Sequence, residues 1–563
     1  MGCRMEPIHR ITSPEASQPA LKARIQPTFP TMPRLSCIVL FLGLSTSSWA
    51  GVTVQVPGLT VPASYASRLT DAQTLFTTSY AAYKEFAFGH DDLSPVSKSF
   101  SDGRNGWGAS IVDAMPTMVV MGLDDLFQEA VNFSASIDFS KSKTGDTVSL
   151  FETTIRYVAG LLSSYELSGE QFPILVTKAQ QVADKMAFAW TGTHDIPYGF
   201  VDFATNKPTI ATTNIAEAGT LSLEWATLSK YTNNATYGNL TARSVKHIAT
   251  LPAPLPGLSA QGIDPTSGNS VGSDVTWGGG SDSYFEYLIK YARLTNTADT
   301  TFIDTWKTAV DSSIHTLLRN STVGNHLYLA DFDGSQIRHV GSHLACFYAG
   351  NWLLGGKLLQ NQTIIDIALQ LNDGCWNTYA STVTGIGPEE FAYISSDGSF
   401  TGGSAPSAAQ TAFYNQHGYY ITGSAYNQRP EVLESNFHAW RITGDTKYLD
   451  RAASAIDAFN KFLPAPAAFA ELTDVNSANG GLMDDMPSFW FAEVLKYLYL
   501  TFDDPSHISL DDYVFNTECQ PFKAPPALDA YTGSGKLVPA KPFKAQSGVV
   551  PQFSPFSKVA RPQ

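Results

Sequence analysis

The chain has 563 residues, of which 43% are hydrophobic, 12% aromatic and only 15% charged, which supplies a large core and excludes disorder over most of its length. Its net charge of −15 argues against a nucleic-acid phosphate backbone as partner. Length alone allows two to four domains, but large helical barrels reach this size as single units, so the count rests on pattern.

The first fifty residues read as a targeting region. Met32-Pro33-Arg34 opens a short basic start, Leu35 to Leu44 is largely apolar, and Ser48-Trp49-Ala50 sets small residues before a cleavage site. The apolar run is short for a bilayer span, so a signal peptide over 32–50 and secretion are expected, with a Golgi or ER signal anchor as the alternative. Sequons at Asn132, Asn234, Asn239, Asn320 and Asn361 agree with glycosylation in the secretory lumen. Beyond the signal only Cys346, Cys375 and Cys519 remain, too few for a disulfide scaffold; one bridge and one buried thiol is the economical reading.

Helical periodicity then recurs almost throughout. Over 71–88, Leu75, Phe76, Tyr80, Tyr83 and Phe86 share one face. Similar spacing predicts helices near 108–131, 148–166, 171–190, 214–231, 235–250, 282–294, 299–318, 342–360, 363–381, 430–443, 446–463 and 484–502. Strand candidates are few: Val52 to Val56 and Leu327 to Ala330, as short edge hairpins. An all-α domain over 51–522 follows, either a solenoid or a closed toroid of helical hairpins, and no strict repeat favours the solenoid. Residues 523–563, rich in Pro, Gly and Ser, read as an extended tail.

Several acids stand at or near predicted helix starts. In a toroid of hairpins the inner helices run parallel, so their first turns gather at one end. Glu152, in Ser149-Leu-Phe-Glu152-Thr-Thr-Ile-Arg156, fits a capping box with an ion-pair partner one turn on. Asp282 follows Gly278-Gly279-Gly280-Ser281 and fits an N-cap, with Glu286 completing a second box; the triple glycine also lets a ligand approach the backbone. Glu431 and Glu434 follow Pro430 in a first helical turn, where the macrodipole favours acids. Glu493 stands among Phe489, Trp490 and Phe491, where an unpaired carboxylate is costly. Together they describe a carboxylate-lined, aromatic-walled cavity suited to sugar hydroxyls and a hard cation. No GxSxG elbow, HExxH helix, P-loop or dinucleotide fingerprint occurs in its required context.

These motifs resemble the class I α-mannosidases of glycoside hydrolase family 47. The resemblance runs from about Ala81 to Phe522. It rests on Ala82-Tyr-Lys-Glu-Phe-Ala-Phe-Gly-His-Asp91, Gly106-Trp-Gly-Ala-Ser-Ile-Val-Asp113-Ala, Phe151-Glu-Thr-Thr-Ile-Arg156, Asp282-Ser-Tyr-Phe-Glu-Tyr-Leu288, His343-Leu-Ala-Cys346-Phe, Arg429-Pro-Glu-Val-Leu-Glu434-Ser and Val514-Phe-Asn-Thr517-Glu518.

The resemblance implies an (αα)7 barrel with short β-hairpins. It also implies a calcium-dependent, inverting hydrolase that removes terminal α-1,2-linked mannose from high-mannose N-glycans. Glu152 is then the general acid, with a pKa raised by burial or by neighbouring carboxylates. Glu431 is the base that activates water, and Asp282 is a further catalytic carboxylate. Thr517 is the Ca2+ ligand, through its hydroxyl and carbonyl oxygens. Arg156, Glu286, Arg429, Glu434, Phe489, Glu493 and Glu518 line the subsite, with Asp113 and Glu224 as weaker candidates. Cys346 and Cys375 form the family's bridge. Two positions depart from the pattern: Gly280 stands where enzymes removing one particular mannose carry Arg, which implies removal of several, and Pro487 stands where Glu is frequent, which puts the local helix start in question. Two competing readings are a catalytically weak lectin for misfolded glycoproteins and a helical-barrel glycosidase acting on glucans. A monomer is expected, with neither nucleic acid nor stable membrane insertion.

Overall fold

Two sets of helices alternate along the chain, and which neighbours they pack against tells them apart. In the computed structural model, which describes residues 51–535, the outer set is Ala66–Phe86, Asp124–Ser136, Pro173–Met186, Thr236–Thr250, Thr301–Thr316, Gln362–Ala380 and Lys447–Phe462. In Lys447–Phe462 the stripe is Tyr448, Leu449, Ala452, Ala455, Ile456 and Phe459, the three- and four-residue spacing of one helix face. Between these come Ala109–Val120, Ala159–Leu167, Ser222–Thr232, Asp282–Thr295, Phe347–Leu358, Glu431–Thr443 and Leu495–Phe502, which are buried on most sides. Each inner helix packs against the next, and Leu495–Phe502 returns to Ala109–Val120. That closes a ring of seven inside a ring of seven, an (αα)7 barrel, and sets the inner helices parallel.

Close packing between the rings needs small residues in places. A Cβ on Gly355 would lie 2.1 Å from the Trp306 ring, whose Nε1 donates to Asn351 Oδ1 at 2.9 Å. The Cys346–Cys375 disulfide, spanning 29 residues, ties the start of an inner helix to its outer neighbour, and Cys519 is a buried thiol.

Several sequence expectations shift in detail. The stretch 108–131 is two helices, broken at Gly122 with φ 67°, because its halves belong to different rings. The stretch 214–231 likewise splits into Ile215–Gly219 and Ser222–Thr232. Ala408–His417 is a helix that periodicity misses, since of its residues only Tyr414 is buried; a capping box between Ser407 and Gln410 starts it. Leu327–Leu329 does pair as a strand, with Leu318–Asn320. Val52 to Val56 is not a strand: Val52 N–H donates to Leu528 O and Val54 N–H to Asp511 Oδ1. The described strands form seven sheets of two or three short strands each.

The first residues of the expected tail, 523–535, are part of the folded domain. Arg293 donates to Pro525 O and Asp511 O, Tyr531 is buried, and Ser534 N–H donates to Asp304, so 523–535 packs on the barrel. The expected signal peptide and the rest of the tail lie outside the described residues. Asn132, Asn234 and Asn239 are exposed, whereas Asn320 and Asn361 are half-buried, Asn361 capping Gln362–Ala380 through Ile364 N–H. Among the described residues no helix is long and apolar enough to cross a membrane.

The hairpin Tyr513–Phe515 with Pro521–Lys523 sends its turn into the barrel. Asn516 ties that turn together, accepting from Glu518 and Gln520 N–H while its own Nδ2 donates to Glu224 Oε1 and Ile155 O. Lys496 Nζ holds the other side through Cys519 O and Gln520 Oε1. The hairpin thus fixes Thr517 and Glu518 against the inner helices.

Candidate active site

Because the inner helices are parallel, their first turns meet at one end, and there they enclose a cavity of about 460 Å³. Glu152, Arg156, Asp282, Arg429, Glu431, Phe489, Glu493, Thr517 and Glu518 all line it. Glu286 and Glu434 do not line it but lie buried beneath, sharing Lys290 as a cation. Asp113 is further back, accepting from Ser488 Oγ at 2.6 Å and facing Arg156 at 3.5 Å.

The local sequence departs from simple capping wherever these acids sit. Ser149 Oγ does accept from Glu152 N–H at 3.2 Å, but the Glu152 carboxylate completes no box. It turns instead to Arg156 Nε at 2.7 Å and Arg104 Nε at 3.5 Å. Asp282 is the first residue of its helix rather than the cap, and accepts from Ser283 N–H at 2.8 Å. Glu286 reaches forward to Lys290 and not back. Pro430 caps the helix that Glu431 opens. Pro487 does not disturb the last inner helix, which starts immediately after it.

Two inner helices widen into π turns here, Thr154–Val158 and Trp490–Val494, and these carry Arg156 and Glu493. A π turn adds a residue to the helical repeat and so re-aims the side chains that follow. Arg156 then reaches Glu518 Oε2 at 2.5 Å, with its guanidinium 5.5 Å from the Phe489 ring centre.

Electrostatics separates the three catalytic candidates. Burial alone raises Glu152, but Arg156 and Arg104 outweigh it and hold the carboxyl at about 2. The raised pKa expected for Glu152 is therefore not found; it is a carboxylate at neutral pH, and 37% of its side chain remains open to the cavity. Asp282 is opposite: burial, with the charges of Glu286 and Glu431, pushes it up to about 7. Glu431 is also opposed by burial, but the hydrogen bond and charge of His343, with Arg429, bring it below the usual value. Arg429 in turn donates to Glu389 Oε2 at 2.5 Å.

The floor of the cavity is rich in acid. Burial pushes Glu434 and Glu493 well up, and neighbouring Glu286, Glu431 and Glu518 push the same way. Glu224, raised to about 7 by burial, keeps one oxygen, Oε2, buried without a hydrogen-bond partner. Such a surplus of hard oxygen donors fits a divalent cation beside Thr517. Among the described residues no three His, Cys, Asp or Glu side chains converge to ligate an ion directly. Thr517, which the resemblance marks as the Ca2+ ligand, stands on the cavity wall with Glu493 and Glu518.

Sequence reasoning passed over Arg104 and His343. Arg104 bridges Glu152 and Asp92, and its loop is shaped by Asp91, whose carboxylate accepts from the N–H groups of Arg104, Gly106, Gly108 and Ala109. Its signal lay in Asp102-Gly-Arg104-Asn-Gly, just before the Gly106-Trp motif. His343 lay inside a quoted motif, but nothing in the local sequence ties it to Glu431, which is 88 residues away.

The sequence profile of glycosyl hydrolase family 47 matches residues 75–524. The chain is 37% identical over 479 residues to mannosyl-oligosaccharide alpha-1,2-mannosidase 1B of Aspergillus phoenicis, covering 81% of this chain and 91% of that protein. It is 37% identical over 500 residues to the protein of the same name from Emericella nidulans, covering 85% and 97%. Its structure matches the alpha-1,2-mannosidase from Trichoderma reesei with a TM-score of 0.79 at 37% identity, covering 82% of this chain and 99% of that one. By sequence over most of its length, by its barrel and by the carboxylates gathered at one end, the chain belongs to glycosyl hydrolase family 47.

Proposed function

We propose that the protein removes terminal α-1,2-linked mannose from high-mannose N-glycans, with inversion, in the secretory pathway or outside the cell. The observation that carries the reading is two carboxylates of unlike acidity on one cavity: Glu431 held below its usual value and Asp282 raised to about 7. An inverting hydrolase needs that pair, one to take a proton from water and one to give a proton to the leaving oxygen.

Glu431 is the base, oriented by His343. Asp282, raised to about 7, holds the donated proton below that pH. Glu152 is the acid position by resemblance, but Arg156 and Arg104 bring it down to about 2. Its part is to anchor Arg156 and Arg104 and to face positive charge developing on the sugar ring. Phe489 offers an apolar surface, and Arg156 and Arg429 donate to hydroxyls. Thr517 would hold calcium, which when bound supplies a hard positive centre for sugar hydroxyls. Gly280 adds no side chain to the cavity wall, which supports removal of several mannoses from one glycan.

The test is free mannose released from a high-mannose N-glycan, measured with and without a calcium chelator. Release that chelation stops supports the reading; no release, or release indifferent to chelation, removes respectively the activity or the metal.

A further inference from the structure

The outer ring carries a concavity of about 200 Å³ that shares no residue with the catalytic cavity. Its floor is aliphatic: Val310 and Ile314 come from Thr301–Thr316, Ile364 from Gln362–Ala380, and Leu359 from the turn that leads into that helix. Val310, Ile314 and Ile364 are buried and Leu359 is half-buried. Lys307 and Asp311 supply its charge. Small-molecule sites measure about 300–1,000 Å³ and set several polar groups around a ligand, so a smaller, mostly aliphatic hollow suits a few apolar side chains better.

The chain delivers such side chains to this place. Tyr531, Thr532 and Gly533 form one wall of the hollow. Tyr531 is buried and its hydroxyl donates to Asn296 Oδ1 at 2.7 Å, while Ser534 N–H donates to the two Asp304 carboxylate oxygens at 2.9 and 3.1 Å. A Cβ on Gly533 would come 2.0 Å from Asp304 Oδ1, so only glycine allows this approach. The chain is thereby fixed at the edge of the hollow, and Lys536-Leu537-Val538-Pro539 comes next. Leu537 stands four residues past Gly533, a reach of at most roughly 13 Å, and Pro539 keeps Val538 extended. Charge agrees as well. Residues 536–563 hold five basic residues and no acid, and the Asp311 carboxylate, 3.6 Å from His315 Nδ1, is still 37% exposed.

We propose that this hollow is the docking site of the chain's own residues 536–539, with Leu537 and Val538 on the aliphatic floor and Lys536 against Asp311. The docked segment staples Thr301–Thr316 to Gln362–Ala380 on the outside of the barrel. The inference is independent of the mannosidase reading.

The experiment is limited trypsin digestion of the folded full chain, with each cut timed by mass spectrometry. Trypsin cuts after Lys unless Pro follows, so Lys536 and Lys544 are comparable sites and Lys541, before Pro542, is not. In the unsubstituted protein the cut after Lys536 should run at least about tenfold slower than that after Lys544, because the bond becomes accessible only when a buried leucine leaves its seat. Two variants remove the docking from opposite sides: Leu537→Ser in the segment, and Leu359→Trp, which fills the hollow from its half-buried wall. Each should bring the two rates within about threefold of one another. Equal rates in the unsubstituted protein, or slow cutting after Lys536 that persists in either variant, would overturn the docking. Protection that grows with protein concentration would assign the hollow to a second copy and overturn it too.

Discussion

His343 Nδ1 lies 2.7 Å from Glu431 Oε2, while its Nε2 lies 2.8 Å from Tyr379 Oη. Burial and the charge of Glu431 raise the Tyr379 phenol, so it keeps its proton beside the ring. The lowered Glu431 carboxylate can only accept, so Nδ1–H points at it and fixes its direction. His343 is a positioning residue for the base. His343→Ala should lower kcat roughly 10–100-fold, part of the ~10²–10⁴-fold a general base contributes, and shift the acidic limb of the pH profile upward as Glu431 loses its partner. Tyr379→Phe should give a smaller effect of the same kind. An unmoved acidic limb in both variants would mean that the contact is only structural.

The two candidate proton donors are separable by pH. Asp282 at about 7 predicts that activity declines as pH rises through about 7, where its proton is lost. Asp282→Asn should abolish that alkaline limb along with most of the activity. Glu152→Gln should slow the reaction but leave the limb in position, since Glu152 is already ionised. Loss of the limb in Glu152→Gln alone would return the acid's role to Glu152.

The buried acids also predict how stability responds to pH and calcium. Asp92, Glu224 and Asp282, at about 7, and Glu471, at about 8, keep protons in the fold that the unfolded chain has already released. Unfolding free energy therefore falls as pH rises from the ordinary carboxyl range to about 8. Glu152 contributes with the opposite sign, but its contribution is lost only as pH falls towards about 2. In chelator, Tm should be higher at pH 5 than at pH 8, and calcium should narrow the gap by stabilising the charged acids. Thr517→Val should remove the calcium response. A Tm that climbs from pH 5 to pH 8 without calcium would contradict the account.

The disulfide makes a simpler prediction. Closing 29 residues restricts the unfolded chain by about 3–4 kcal/mol in the loop-entropy model. Cys346→Ala with Cys375→Ala should lower the denaturant midpoint accordingly with the slope little changed, whereas an unchanged midpoint would mean the bridge is energetically idle.

The ring itself was legible because one-sided stripes such as that of Lys447–Phe462 leave a 3.6-residue signature. Its closure was not, since the return of Leu495–Phe502 to Ala109–Val120 joins the two ends of the domain. The acids were visible at helix starts, but local spacing read them as caps. The charges that decide their protonation come from elsewhere: Arg104 acts on Glu152 across 48 residues and His343 on Glu431 across 88. The pKa inferred for Glu152 failed for that reason, because burial was counted and the second guanidinium was not. Ala408–His417 escaped because a mostly exposed helix leaves no apolar stripe.

The most direct measurement is the anomer of the first mannose released from a high-mannose N-glycan, followed by proton NMR in the presence of calcium. Attack by water from the face opposite the leaving group predicts β-mannose first, with the α form appearing only by mutarotation. Initial α-mannose, or no mannose at all, would contradict an inverting site built on Glu431 and Asp282.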